Sequence, residues 1–121
     1  MAVLGSRAQL CIHDDVSKIR GNAQHHACRK LVSKQKCKFH KRVQDYKSNS
    51  DFTDAVLDIE ELAGLGKSKG VCPYYLTREL QDNAELVLIP YNYLIDPQTR
   101  QSLHVDLEGS VLIFDEAHNM V

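Results

Sequence analysis

Residues 84–90 read "AELVLIP", a continuous apolar run that ends at a proline. An apolar run without alternation is typical of a strand buried on both faces of a parallel sheet. Residues 109–118, "GSVLIFDEAH", repeat the pattern and predict another buried strand with the loop that follows it. A shorter run, "AVLGS" at 2–6, fits a strand that leaves the same core. These three segments predict a small parallel sheet.

The segments between these runs favour helices. Residues 73–83 begin with a proline, which suits the first turn of a helix, and residues 91–103 predict two short helical stretches with a turn at Asp96-Pro97. Residues 51–66 predict a turn and an amphipathic helix that Gly64 and Gly66 end. Strands that alternate with helices predict an α/β fold with a parallel sheet.

Residues 12–72 form a predicted insertion in that sheet. Residues 12–50 are polar and basic and lack strand alternation, so we expect short helices and loops there. The insertion is too short and too polar to bury a sufficient core alone, and it therefore needs a covalent or metal link.

Length and composition limit the possible classes of protein. With 121 residues, of which 43% are hydrophobic and 26% charged, the chain has room for one small domain. No apolar run approaches the ~20 residues of a membrane span, so no membrane partner is expected. We expect a soluble intracellular protein, whose four cysteines are thiols or metal ligands rather than disulfides.

The net charge of −1 conceals two opposite halves. Residues 1–50 carry eleven Lys and Arg against three Asp and Glu, a net charge of +8, whereas residues 51–121 carry four against thirteen, a net charge of −9. A basic half suits a polyanion such as nucleic acid. On charge alone, a solvated basic helix face is the slightly favoured interpretation.

The four cysteines are Cys11, Cys28, Cys37 and Cys72. No Cys-x-x-Cys pair occurs, so the spacing matches neither a zinc knuckle nor a ferredoxin motif, and four unrelated buried thiols would explain it as well. Two features favour shared ligation: all four lie in or beside the weak-cored insertion, and Cys11 and Cys72 stand where it leaves and rejoins the sheet. Soft thiolates suit zinc or an iron–sulfur cluster, and the residues alone do not choose between them.

"GKS" at 66–68 resembles the end of a phosphate-binding P-loop, but the full motif requires a glycine at position 61, which is Glu61. No buried strand precedes the stretch, so we interpret it as a mobile basic turn. The chain therefore has no P-loop.

"DEAH" at 115–118 follows the apolar run "VLIF" directly. An Asp-Glu pair at the end of a buried strand suits nucleotide hydrolysis, with Asp115 holding Mg²⁺ and Glu116 polarising the attacking water. An acidic loop after a core strand is the simpler alternative, and the apolar context favours the functional interpretation.

Several uncommon strings occur in order across nearly the whole chain: "GSRAQLCIH", "CRKLV", "CKF", "LDIEEL", "VCPYYLTREL", "LIPYNYLIDPQTR" and "VLIFDEAHN". Together they resemble the iron–sulfur DNA helicases of superfamily 2, of the xeroderma pigmentosum group D type. The resemblance implies an ATP-dependent helicase that moves 5′ to 3′ on single-stranded DNA. It also implies a RecA-like parallel-sheet motor domain that carries a mostly helical iron–sulfur cluster insertion.

The resemblance further implies roles for single residues. Cys11, Cys28, Cys37 and Cys72 would bind a 4Fe-4S cluster. Asp115 and Glu116 would be the Mg²⁺ and water-activating carboxylates of ATP hydrolysis, and His118 would couple the ATP state to neighbouring motor motifs. Arg7, Tyr74 and Arg78 match positions near the cluster and the path of single-stranded DNA, where stacking and cationic contacts are needed.

The expected organisation is a motor-domain strand and loop at 1–10, the cluster insertion at 11–72, and a return to the motor domain at 73–121. We expect a fragment of a nuclear helicase that acts on single strands and DNA junctions in DNA repair, recombination control and telomere upkeep. The fragment alone should be inactive, because ATP and Mg²⁺ binding need a P-loop. The alternative is a stand-alone metal-binding module that binds nucleic acid without enzyme activity.

Overall fold

The computed structural model describes residues 1–103 and 107–120. The chain divides into two compact units, residues 1–88 and 89–121. The described part is mostly helical with a small parallel sheet. Helices long and apolar enough for a bilayer are absent from the described ranges.

Most of the secondary-structure elements are short helices. The strands are β1 (Ala2–Val3) and β2 (Val87–Leu88). The helices are α1 (Arg7–Leu10), α2 (Asn22–Ser33), α3 (Val43–Tyr46), α4 (Ser50–Thr53), α5 (Ile59–Lys69), α6 (Pro73–Leu80), α7 (Tyr91–Ile95) and α8 (Pro97–Leu103). Short 3-10 helices cover Val16–Lys18, His40–Arg42, Gln81–Asn83 and Ala117–Met120.

β1 and β2 pair in parallel, with Ala2 opposite Val87 and Val3 opposite Leu88. The amide of Ala2 donates to the carbonyl of Leu86, and the amide of Leu4 donates to that of Leu88, each at 2.9 Å. The parallel direction and the positions of these two strands confirm the prediction from the apolar runs at 2–6 and 84–90.

The predicted strand within 109–118 is wrong for this structure. Residues 110–114 adopt no regular secondary structure, and Val111 and Ile113 are 87% and 89% exposed. A parallel strand is stable only when neighbouring strands satisfy its backbone and cover its side chains. Because the described residues provide no paired neighbour for this run, its apolar side chains face solvent.

Helix α5 is longer than the sequence pattern predicts. Asp58 caps its first turn by accepting from the amide of Glu61 at 2.7 Å. The helix continues through Gly64 and Gly66 and ends at Gly70, which adopts the left-handed conformation with a φ of 70°. The mobile turn expected at "GKS" is therefore helical, and the stop signal is the third glycine.

Helix α6 lies at the centre of the unit formed by residues 1–88. Its Tyr74 and Leu76 are buried, and the hydroxyl of Thr77 donates to the carbonyl of Val3 at 2.7 Å, which joins the helix to β1. The prediction of a helix that begins with Pro73 at its first turn is confirmed. The core around it consists of Leu10, Val43, Phe52, Leu62, Val71, Cys72, Tyr74 and Leu76.

The unit formed by residues 89–121 contains α7 and α8. The two helices meet at Asp96, as the sequence predicts, and the guanidinium of Arg100 donates to the carbonyl of Leu94 at 3.2 Å. Burial of Tyr93 and Leu103 indicates that these short helices have an apolar side.

Two glycines of α5 differ in their surroundings. A Cβ on Gly66 would lie 2.9 Å from both Cδ of Pro73 and the carbonyl oxygen of Val71, whereas a Cβ on Gly64 would meet nothing within 4 Å. α5 and the start of α6 can approach this closely only where a side chain is missing.

Substitution of these glycines by alanine should have opposite effects. Gly66→Ala forces backbone and ring apart, and it should lower the free energy of unfolding by about 1–3 kcal/mol. Gly64→Ala should raise it by up to about 1 kcal/mol, because alanine favours an exposed helix interior. Urea unfolding followed by circular dichroism measures both; equal midpoints for the two variants would contradict the close approach.

Candidate functional site

The cysteines come from four separate segments. Cys11 follows α1 and donates its amide to the carbonyl of Arg7 at 2.9 Å, and Cys28 lies in the middle of α2. Cys37 lies between α2 and the 3-10 helix His40–Arg42. Cys72 is the residue before α6, and its amide donates to the carbonyl of Phe39 at 3.1 Å. Four separate segments, one of them the interior of α2, thus deliver one thiol each.

These four thiols line a single cavity. Cys37 and Cys72 are buried, Cys11 and Cys28 are half-buried, and all four are free thiols. The remaining walls are apolar, aromatic or imidazole, and they consist of Ile12, His13, Val16, Leu31, Val32, Phe39, His40 and Tyr75. Four sulfur donors, with no carboxylate among the described lining residues, form a soft donor set.

Burial sets the protonation of these thiols. It raises the pKa of Cys72 to about 12, and Cys37 and Cys11 add to the effect. Burial also raises the pKa of Cys11, with further contributions from Cys28 and Cys37. Thiolates in this cavity would be poorly solvated and would repel one another, so they require a compensating cation.

The side chains in the described ranges do not form a ready site for a single metal ion. No three side chains of Cys, His, Asp or Glu in these ranges come close enough to hold one metal ion. A zinc ion lies about 2.3 Å from each thiolate, which places ligand sulfurs within roughly 4 Å of one another. The four cysteines nevertheless line one cavity, and their sulfurs are a donor set that suits zinc or an iron–sulfur cluster.

Arg7 is the buried cation beside the cavity, with only 6% of its surface exposed. Its guanidinium donates to Nδ1 of His25 at 2.8 Å and to the hydroxyl of Tyr75 at 3.1 Å. The same group lies 4.5 Å from the ring centre of Tyr74. Burial lowers the pKa of His25, and Arg7 lowers it further, which keeps this imidazole neutral and able to accept.

Tyr75 connects Arg7 with the cysteines. Its hydroxyl oxygen lies 3.9 Å from Sγ of Cys28, and its ring meets the ring of His40 edge-on at 4.7 Å. Burial raises the pKa of Tyr75, so the phenol stays protonated.

The structure brings the three predicted DNA-contact residues together. The guanidinium of Arg78 lies 3.9 Å from the ring centre of Tyr74, over the ring that Arg7 also contacts. Tyr74 is only 7% exposed. The ring therefore holds two arginines by cation–π contacts in this structure, and it is not available as a stacking platform for bases.

The DEAH residues lie in the other unit, and their side chains are exposed. Nε2 of His118 lies 3.3 Å from a carboxylate oxygen of Glu116. Glu116 has a φ of 54°, an uncommon backbone conformation for a non-glycine residue. Asp115 and Glu116 are adjacent and open to solvent, so both carboxylates are accessible to a hydrated cation.

Two residues at the site, His25 and Tyr75, had no role predicted from the sequence. Helical spacing carried a signal for one of them, because His25 precedes Cys28 by three residues and so lies on the same face of α2. The same rule relates Tyr74 to Arg78, four residues apart on α6. For Tyr75, the adjacent position to Tyr74 gave no indication of which ring faces the cysteines.

The whole chain is similar to known proteins. The DEAD_2 family matches residues 1–121. Three relatives are the regulator of telomere elongation helicase 1 homolog of Oryza sativa subsp. japonica, at 49% identity, its homolog in Arabidopsis thaliana, at 47%, and regulator of telomere elongation helicase 1 of Homo sapiens, at 46%. Each alignment covers 99% of this chain but only 12%, 12% and 10% of the respective relative.

The chain thus spans about a tenth of the length of these relatives. The matches confirm the resemblance inferred from the ordered motifs. Since the family match extends over residues 1–121 and relatives named as helicases share nearly half of the residues, the chain belongs to the DEAD_2 family.

Proposed function

We propose that this chain is the part of an ATP-dependent 5′-to-3′ DNA helicase that binds a 4Fe-4S cluster and carries the DEAH-box carboxylates. The observation that supports this proposal best is the convergence of Cys11, Cys28, Cys37 and Cys72 on one cavity. Its relatives are named for telomere elongation. A nuclear role in telomere upkeep, DNA repair and recombination control is proposed on that basis.

The cavity fits an iron–sulfur cluster in its donor chemistry. Four thiols and apolar walls provide the soft, poorly solvated environment in which such clusters are held by cysteine thiolates. Cys11, Cys28, Cys37 and Cys72 would be the ligands, and the bound cluster would supply a redox-active cross-link between four segments. Residues 11–72 would then form the cluster insertion of a RecA-like motor domain, to which β1 and β2 contribute strands.

The DEAH residues would serve ATP hydrolysis. Asp115 would hold Mg²⁺, Glu116 would orient and polarise the attacking water, and His118 would transmit the nucleotide state to neighbouring motor motifs. Exposure of these side chains leaves them accessible to Mg²⁺ and ATP. The 121 residues contain no P-loop motif, so these carboxylates alone have no bound phosphate to act on.

Single-stranded DNA and DNA junctions are the proposed substrates. The basic first half of the chain suits the phosphate backbone. Arg78 is the partly exposed member of the arginine–tyrosine group, whereas Arg7 is buried. Arg78 would therefore contact phosphates directly, while its cation–π contact with Tyr74 would hold it in place.

Replacement of Cys28 by serine should remove the cluster. Cys28 is half-buried, so the change disturbs packing less than at Cys72, and serine is a poor ligand for iron. The purified intact protein should lose its visible absorbance and most of its bound iron, and residues 12–72 should become sensitive to protease.

Val32→Ala is the matched control, because Val32 lines the same cavity without a sulfur atom. It should keep its iron. Full iron content in Cys28→Ser would show that Cys28 is not a ligand. A colourless parent protein with stoichiometric zinc would show that the cysteines bind zinc and not a cluster.

Glu116→Gln should stop hydrolysis while ATP and DNA still bind. Glutamine keeps the shape of the side chain but lacks the charge that polarises water, so DNA-stimulated ATPase activity of the intact protein should fall by at least ~100-fold. Nucleotide affinity, measured beside it, should change little. The control Glu85→Gln, an exposed carboxylate of the other unit, should retain parental activity.

Substantial ATPase activity in Glu116→Gln would contradict the DEAH assignment. So would turnover by residues 1–121 alone after purification to constant specific activity. If the parent protein itself lacked ATPase activity but bound DNA and iron, a non-enzymatic nucleic-acid module would explain the chain.

Arg78→Glu should weaken binding of single-stranded DNA by the intact protein. Loss of one phosphate contact should reduce the slope of log affinity against log salt by about 0.7. Lys67→Glu reverses an equal charge on the exposed side of α5 and serves as the control. If both variants lose affinity equally, the effect reflects overall charge and not a contact at Arg78.

A further inference from the structure

Tyr75 stands between a buried cation and one cysteine. Its hydroxyl is 3.1 Å from a guanidinium nitrogen of Arg7 and 3.9 Å from Sγ of Cys28. A distance near 3.9 Å is within the reach of a hydroxyl that bonds to sulfur, since sulfur is larger than oxygen. One hydroxyl group therefore touches both the cysteine cavity and the buried arginine.

Chemistry decides the direction of these two hydrogen bonds. A guanidinium can only donate, so the oxygen of Tyr75 accepts from Arg7. The phenol proton is then left for another acceptor. A cysteine that ligates a metal is a thiolate and can only accept, so the proton of Tyr75 points to Cys28 whenever that residue is a ligand.

Neighbouring side chains hold the hydroxyl in place. Arg7 is fixed by Nδ1 of His25 and by the ring of Tyr74, and the ring of Tyr75 is fixed by His40. Hydrogen bonds in such a chain polarise one another in a buried site, so Arg7 makes the phenol a stronger donor.

Cys28 differs from its neighbours in where its donors come from. The sulfur of Cys11 has the backbone amide of His13 near it, and that of Cys72 has the amides of Tyr74 and Tyr75. Cys28 lies inside α2, where backbone amides are engaged in the helix. A side chain from α6 supplies the hydroxyl contact for this cysteine.

We propose that Tyr75 is a positioning residue that donates a hydrogen bond to the Cys28 thiolate, is supported by Arg7, and raises the reduction potential of the cluster. The inference rests on the proposed function, because it requires a cluster at the four cysteines. A hydrogen bond to a ligand sulfur stabilises the more negative, reduced state, and such bonds are among the factors that set cluster potentials.

The test compares Tyr75→Phe with Tyr74→Phe in the intact, cluster-loaded protein. Each change removes one hydroxyl and keeps the ring, and only the hydroxyl of Tyr75 contacts a cysteine sulfur in the described residues. A spectroscopic redox titration measures the potential, and iron content is determined on the same samples. Tyr75→Phe should keep its iron and favour the oxidised state by roughly three- to tenfold, or about 30–60 mV for one electron. Tyr74→Phe should match the parent.

Arg7→Lys provides a second measurement, because lysine keeps the positive charge but lacks the planar guanidinium group with its several N–H donors. It should lower the potential in the parent and have a smaller effect in the Tyr75→Phe background, where only the direct influence of Arg7 on the cysteines remains. Equal potentials for Tyr75→Phe and the parent, with iron retained, would overturn the inference, as would an undiminished effect of Arg7→Lys in the Tyr75→Phe background. A parent without iron would instead refute the proposed function itself.

Discussion

The burial of helix α6 is the packing interaction on which the rest of the unit formed by residues 1–88 depends. Its first turn follows Cys72, its apolar side joins the core through Leu76, and Thr77 bonds to β1. One rigid helix therefore fixes both the sheet and the cysteine cavity. The glycine at position 66 is part of the same constraint, because it allows α5 to approach Pro73.

Desolvation imposes the second constraint. Four thiols in an apolar cavity are acceptable while protonated and costly as bare thiolates, as the raised pKa of Cys72 indicates. Arg7 is a permanent positive charge beside them, and its aromatic and imidazole contacts compensate for lost hydration. The surroundings thus accommodate negative charge on sulfur only when cations share the site.

The sequence predicted the parts of the fold that depend on local signals. Apolar runs located β1 and β2 and their parallel direction, and Pro73 located the start of α6. The length of α5 was underestimated, because a glycine inside a helix and a glycine at its end look alike until the packing of Gly66 is known. Residues 110–114 carry a strand pattern, but a strand also needs neighbours, which pattern alone does not provide.

The residue types of the candidate site were predictable from the sequence, whereas most of the contacts between these residues were not. The cysteines share a cavity, which is what a small polar insertion with a weak core requires if its thiols are to link it. Their ligation of a cluster stays a prediction. Burial of Tyr74 was not predictable, because cation–π contacts with Arg7 and Arg78 depend on three-dimensional packing. The contact of Tyr75 with Cys28 depends on the helical turn of α6, which places the adjacent residues Tyr74 and Tyr75 on different sides of the helix.

The register of the sheet has a consequence for the order of events during synthesis. Ala2 pairs with Val87, so the β1–β2 pair cannot form until almost the whole unit has left the ribosome. The last cysteine, by contrast, is residue 72. Chains emerge from the N-terminus, and distant contacts form late. All four thiols have therefore emerged from the ribosome before this sheet can close.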